Sequence, residues 1–321
     1  MKKSKILLGL ALVSLMVGCG KKDTTSKDEK SIKVGIIQTA EHIALNRARE
    51  GFIDGLKEKG FKVEENTVNA QGDMSLIPTA VSKFQNDKVD VIYAIGTPAA
   101  QGAKNMVKDI PIIFSAVTDP VSTELLENEK NPEGNITGVS DYFPISTQLK
   151  KFLEIFPDVK NLGVLYSTGE TNSEVQIEEL NTISKELGIN LIKVGVATTN
   201  DVAQSISSLS EKIDAYVGIQ DNLASTSSSL IANELKNKKI PSMAGESGPV
   251  ENGLLLSEGI DYIAQGKLAA NIVEEIKNGK AIKEIPVVYS KETTRVVNET
   301  TAQTLEIDKN SKLFENAKLI K

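Results

Sequence analysis

Apolar runs recur along the chain in two matching series. In the first, Lys33-Val34-Gly35-Ile36-Ile37 reads as a buried strand. Ala44, Ala48, Phe52, Ile53 and Leu56 then follow at helical spacing, and the helix stops at Lys59-Gly60. Leu76, Ala80, Val81 and Phe84 predict a second helix, and the almost continuously apolar Val89 to Ile95 predicts a strand covered on both faces. Thr97-Pro98 places threonine at an N-cap and proline at N1 of the next helix. A further buried strand, Ile110 to Val117, ends at Thr118-Asp119-Pro120.

The second series repeats the first. Leu162-Gly163-Val164-Leu165-Tyr166 matches the opening strand and Leu187-Gly188 the first helix stop; Gly35 and Gly163 stand 128 residues apart, as do Gly60 and Gly188. Ile213-Asp214-Ala215-Tyr216-Val217 echoes Val89-Asp90-Val91-Ile92-Tyr93, and Ile240-Pro241-Ser242 echoes Ile110-Pro111-Ile112. Asn172 or Ser173 caps the intervening helix through Ile177, Leu180 and Ile183. Each half alternates strand and helix, which predicts an α/β fold of two similar, doubly wound parallel-sheet lobes joined by a hinge. The first crossing is placed at Asn135 to Asp141. Beyond residue 245 the pattern gives a short strand at Leu254-Leu255-Leu256 and a helix from Ile263 to Ile276, ending at Asn278-Gly279. Strands at Ile285 to Tyr289 and Arg295 to Val297 and a helical region at Leu305 to Leu319 complete the expectation. The lobes are accordingly set at 32–141 with about 246–284, and 142–245 with about 285–321.

The first residues stand apart from this pattern. Lys2, Lys3 and Lys5 precede a predominantly apolar stretch, Ile6 to Val17, too short to span a membrane, and Val17-Gly18-Cys19 supplies a cleavage point. Residues 1–18 are read as a signal peptide and 19–31 as a tether, since Gly20 to Lys30 holds no apolar residue. Cleavage leaves 303 residues, and the loss of three lysines takes the formal charge from −6 to −9. That acidic balance argues against nucleic acid.

One histidine (His42) and one cysteine remove most nucleophile–histidine arrangements and the usual zinc sites. No glycine-rich phosphate cradle follows the first strand, so no cofactor and no enzymatic activity is expected. What remains is a set of six loops at strand ends facing one cleft: 38–42, 96–98, 115–119, 167–173, 220–222 and 245–247. Open α/β sheets bind ligands at such ends. These loops hold hydroxyls, amides and carboxylates but no lysine or arginine, which suits a free amino acid: its carboxylate at a helix N-terminus, its ammonium against an acid. Glu41, Thr97, Ser115, Asp119, Asp141, Asn172, Ser173, Asp221 and Asn222 are the candidate contacts. Plain readings compete. Thr97, Asn172, Ser173 and Asp221-Asn222 also fit helix caps, Asp119 fits turn chemistry, and Glu41 a solvated acid near a helix start. His42 fits a structural or capping role better than a ligand contact. Asp221 and Thr97 occupy near-equivalent places in the two halves, so Asp221 is expected to take the ammonium and Thr97 the carboxylate, with apo stability insensitive to loss of Asp221.

Glu41-His42-Ile43-Ala44-Leu45, Ala94 to Gln101, Ala116 to Val121, Asn135 to Asp141, Glu170 to Ser173 and Asp221-Asn222 together resemble the ABC-transporter substrate-binding lipoproteins associated with tryptophan and tyrosine uptake. That family has the type I periplasmic-binding-protein fold. The resemblance implies a receptor outside the cytoplasm that closes on an aromatic amino acid and delivers it to an ABC permease and its ATPase. Thr97, Ser173, Asp221 and Asn222 stand where the family's ligand contacts are expected. Leu15-Met16-Val17-Gly18-Cys19 resembles a lipobox with Met16 in place of the usual leucine, implying lipidation at Cys19 and surface anchoring to the cell membrane. Host adhesion, and a sugar or nucleoside as ligand, are the alternatives.

Overall fold

A computed structural model describes residues 30–290 and 293–321. The leader, Cys19 and most of the tether lie outside the described residues; Lys30 and Ser31, expected in the tether, already belong to the first strand. In chain order the first lobe begins β1 (Lys30–Gln38), α1 (Ile43–Glu58), β2 (Phe61–Asn69), α2 (Ile77–Asp87), β3 (Val91–Ile95), α3 (Thr97–Met106), β4 (Ile112–Val117), β5 (Ile136–Ser140). The second lobe follows with α4 (Ile145–Ile155), β6 (Asn161–Ser167), α5 (Thr171–Glu186), β7 (Asn190–Val196), α6 (Val202–Ser210), β8 (Ala215–Gly218), α7 (Asn222–Thr226), α8 (Ser228–Asn237), β9 (Ser242–Ala244), α9 (Gly248–Glu251) and β10 (Leu256–Ile260). The chain returns through α10 (Tyr262–Lys277) and β11 (Val288–Tyr289), then finishes with β12 (Thr293–Asn298), α11 (Glu299–Thr304) and β13 (Ala317–Ile320).

The repeat seen in the sequence is a repeat of topology. One sheet runs β11-β5-β4-β3-β1-β2, the other β13-β12-β10-β9-β8-β6-β7, so β2-β1-β3-β4-β5 has its counterpart in β7-β6-β8-β9-β10. Pairing is parallel except between β10 and β12. Each sheet is buried on both faces. In the first lobe α1 and α10 cover one face and α2 and α3 the other. In the second, α4, α5 and α11 oppose α6, α8 and α9. Burial on two faces explains why β3 and β4 read as unbroken apolar runs.

Three expectations change. Residues 256–260, placed by the sequence in the first lobe, form β10 of the second sheet, while 288–289, placed in the second, form β11 of the first. The crossings therefore fall after β5, between β10 and α10, and between β11 and β12. Leu305 to Leu319 is not helical; a short 3₁₀ turn at Lys312–Phe314 leads to β13. The cap of α3 is Gly96, with φ 94°, rather than Thr97, which begins the helix. A Cβ on Gly96 would meet the Thr39 hydroxyl at 2.5 Å, so both backbone conformation and space demand glycine there.

Helices α1 and α10 touch backbone to backbone. A Cβ on Gly266 would lie 2.2 Å from the Ala48 carbonyl oxygen, and one on Gly51 2.1 Å from that of Ile263. The two helices thus pack as one block, which links the start of α1 to the crossing that opens α10.

Candidate functional site

Both sheets reverse strand order at the same place, between β1 and β3 in one lobe and between β6 and β8 in the other. Parallel sheets leave a crevice outside the carboxyl ends at such a switch point. The loops after these strands face each other across a narrow cavity. His42, Ala44, Leu45, Ala116 and Thr118 line it from the first lobe, with Asp141 and Tyr262 at the crossings. Asn172, Gln220, Asp221, Asn222, Ser225 and Glu246 line it from the second. A larger cleft of about 660 Å³ lies beside it, bordered by Glu41, Asp73, Pro98, Glu170 and Leu223, and the two share Asn222 as a wall.

Three carboxylates, Asp141, Asp221 and Glu246, line the inner cavity, and no lysine or arginine does. Burial pushes Asp141 up to about 6 and Glu246 up to about 7. Glu170, just behind, is raised by burial and by the neighbouring charge of Asp221. Asp141 accepts a 2.8 Å hydrogen bond from the Tyr262 hydroxyl at Oδ2, while its buried Oδ1 has no partner. His42 is held neutral, lowered to about 4 chiefly by burial. Its tautomer follows from its neighbours. Asn222 donates through Nδ2 to Glu170, so its Oδ1 is an acceptor, and His42 Nε2 donates to it across the cleft at 3.1 Å. His42 Nδ1 is then a buried acceptor with no partner. Asn172 is fixed likewise: its Nδ2 donates to Glu170 and to the Gln220 carbonyl, leaving Oδ1 unpartnered. One small cavity is therefore lined by three residues with unsatisfied acceptors. Opposite charge enters through α1, whose N-cap His42 makes no capping bond and whose first-turn residues Ala44 and Leu45 line the same space.

Ala116 reaches the cavity through an unusual backbone. It sits at φ 54°, at a register shift between β4 and β5. Gln265 Oε1 holds it there, accepting from the Ala116 amide at 2.9 Å and the Ser115 hydroxyl at 2.8 Å. Such strained positions gather at binding sites.

Of the residues singled out by sequence, Asp141, Asn172, Asp221 and Asn222 line the inner cavity. Asp221, however, is engaged by its own lobe: Oδ2 accepts from the Ser167 amide and the Ser173 hydroxyl, both at 2.6 Å, and Oδ1 caps α7 through the Ala224 amide at 2.7 Å. Ser173 and Ser115 are spent on these internal bonds, and Asp119 caps a turn through the Val121 and Ser122 amides. Thr97 is buried at the start of α3 with an unpartnered hydroxyl, away from the inner wall. Glu41 borders only the outer cleft, where Asn46 and Asn69 donate to it. The sequence did not single out Gln220, Tyr262 and Glu246; His42, read there as structural or capping, is the N-cap of α1 and also lines the cavity. Glu246 lay inside an expected loop and Tyr262 outside the repeat altogether.

The raised carboxylates have a consequence for stability. Asp141 and Glu246 start from ordinary values of 3.8 and 4.5, so between about pH 4.5 and 7 the folded chain holds more protons than the unfolded one. Their stabilisation is complete below the unfolded values and is lost as pH rises through the folded ones. His42, lowered from 6.5 to about 4, opposes this only below pH 6.5. Surface acids held low, such as Asp90 and Asp214, titrate beneath the window. Thermal unfolding of the apo protein is expected at a higher temperature near pH 5.5 than near pH 7.5; the reverse order would show that these acids are not buried uncompensated.

The sequence profile of the family described as ABC transporter substrate binding protein matches residues 33–321. A protein named tyrosine-binding protein from Clostridioides difficile (strain R20291) is 40% identical over 99% of this chain and 95% of its own. Among solved structures, the ABC domain in complex with L-Trp from Streptococcus pneumonia superimposes with TM-score 0.86 at 30% identity, covering 91% of this chain and all of the other. The ligand-free, open structure of a substrate-binding protein with adhesive properties from Clostridium difficile is more alike in sequence, 38%, yet less alike in shape, with TM-score 0.69 over 90% of this chain and 99% of the other.

Proposed function

The chain belongs to the ABC transporter substrate-binding protein family, and we propose that it captures a free amino acid, tyrosine or tryptophan, between its lobes outside the cytoplasmic membrane. Delivery to a permease driven by an ATPase follows from that role. The observation that carries the reading is the inner cavity itself: Asp141, His42 and Asn172 each bring a buried acceptor without a partner, and no cation lines the space. An ammonium offers three donors and a positive charge. We assign it to Asp141 and the ligand's carboxylate to the amides that open α1. This departs from the sequence expectation, in which Asp221 and Thr97 had those roles. The aromatic side chain is supported by the tyrosine-binding relative and the L-Trp complex. Ala44, Leu45, Ala116 and Tyr262 supply the apolar wall.

The lobes stand closed. His42 reaches Asn222, Gln101 reaches Thr171 at 3.1 Å and Arg47 reaches Glu251, each from one lobe to the other. Greater likeness to the L-Trp complex than to the open structure supports the same reading, and hinge rotation about three crossings is the movement that opens it.

Calorimetry with tyrosine, tryptophan, leucine, ribose and adenosine tests the assignment. The aromatic amino acids are expected to bind tightest, and tighter binding of leucine, the sugar or the nucleoside overturns it. Anchoring through diacylated Cys19 is proposed from the leader alone; the intact mass of the protein from the membrane fraction reads it, and an unmodified full-length chain refutes it. A second role in adhesion rests on the property stated for the Clostridium difficile neighbour. Cell binding with and without saturating tyrosine separates it from transport.

A further inference from the structure

Among the described residues one ion pair joins the lobes. Arg47, on α1, donates from Nη1 to Glu251 Oε1 at 2.6 Å and from Nη2 to Oε2 at 3.0 Å, with a third bond from Nη1 to Ser247 Oγ at 3.2 Å. This two-pronged geometry is the strongest form of such a contact. Both side chains are about one-third exposed, 34% and 30%, so water screens the pair only in part. Neither residue lines the inner cavity. Each nevertheless rides on the element that forms one of its walls. Arg47 lies in the same N-terminal part of α1 as Ala44 and Leu45, three and two residues beyond them, and Glu251 ends the helix that follows Glu246. The backbone contact between α1 and α10 ties Arg47 rigidly to the first lobe.

We propose that Arg47 and Glu251 form a closing clasp that sets ligand affinity without touching ligand. The pair exists only when the lobes meet, so it favours the closed state whether or not the cavity is filled. Where only the closed form completes the site, apparent affinity scales with the closed fraction. The clasp raises that fraction, and its loss is expected in the dissociation rate. This rests on the cavity being the ligand site, and the test keeps the two ideas apart.

Arg47→Ala, Glu251→Ala and the double variant are compared with the wild type by L-tyrosine calorimetry and by small-angle scattering of the apo proteins. Each single variant is expected to weaken L-tyrosine binding by about two- to tenfold. The double variant should do no worse than either single, as a shared contact requires. Wild-type affinity should fall as salt is raised, and the variants should lose that dependence. Apo radii should be larger in all three variants, with melting temperatures unchanged. Loss on Arg47→Ala but not on Glu251→Ala would mean that Arg47 acts through the field at Glu246, and the clasp is then wrong. Additive losses, or losses with unchanged apo radii, also overturn it. If the wild type ignores L-tyrosine, the functional reading fails, and the apo radii alone decide the clasp.

Discussion

Asp141→Ala is expected to reduce amino-acid affinity by about thirtyfold to a few thousandfold, the effect of removing one side of a buried charged pair worth about 2–5 kcal/mol. The backbone of Asp141 closes β5 onto β4 through the Val117 carbonyl, 3.1 Å away, and its own carbonyl accepts from Gln220 of the other lobe at 3.1 Å. Those bonds survive the substitution. What is lost is the free oxygen and the anchor for the Tyr262 hydroxyl. Asp141→Asn separates the two: the amide oxygen still accepts from Tyr262, but the NH₂ group points donors where the ammonium needs an acceptor. The asparagine variant should therefore fold normally and bind as poorly as the alanine variant. Wild-type affinity should also decline as pH falls below about 6, where Asp141 takes up its proton, and the asparagine variant should not share that decline. Calorimetry across pH 5 to 8 reads all three, and an asparagine variant with wild-type affinity removes Asp141 from the ammonium site.

The repeat made the architecture legible because buried parallel strands write themselves as apolar runs and their helices as a 3.6-residue period. From that came the two lobes, the first crossing and the loops that face the cleft. Past residue 245 the symmetry ends, and with it the signal. Val288 and Tyr289 are too short a run to declare which sheet they join, and β10 matches β5 only once both sheets are seen. Within the site, sequence found the loops but not the division of labour. Asp221 and Asp141 are both acids at strand ends. In the folded chain one is saturated by its own lobe and the other keeps an oxygen free, a difference set by the tertiary contacts. Tyr262 and the Arg47–Glu251 pair are contacts between parts of the chain more than a hundred residues apart, which no local pattern encodes.

Asp221 therefore carries the opposite prediction from the one its sequence position invited. Asp221→Ala should destabilise the apo protein by about 2–4 kcal/mol. It removes the N-cap bond to the Ala224 amide, worth about 0.5–2 kcal/mol, and leaves buried donors at Ser167 and Ser173 unpaired at about 1–3 kcal/mol each. Relief of the repulsion that raises Glu170 returns part of this sum. In a chain of this size the melting temperature should drop by roughly 3–6 °C. Affinity measured well below that temperature should fall less than in the Asp141 variants, because the ammonium keeps its acceptor and only the cavity wall loosens. The contrast distinguishes a residue that builds the site from one that touches the ligand. Thermal unfolding and calorimetry on the same preparations supply both numbers. An apo melting temperature unchanged by Asp221→Ala, together with abolished binding, would restore Asp221 as the ligand's partner and displace Asp141.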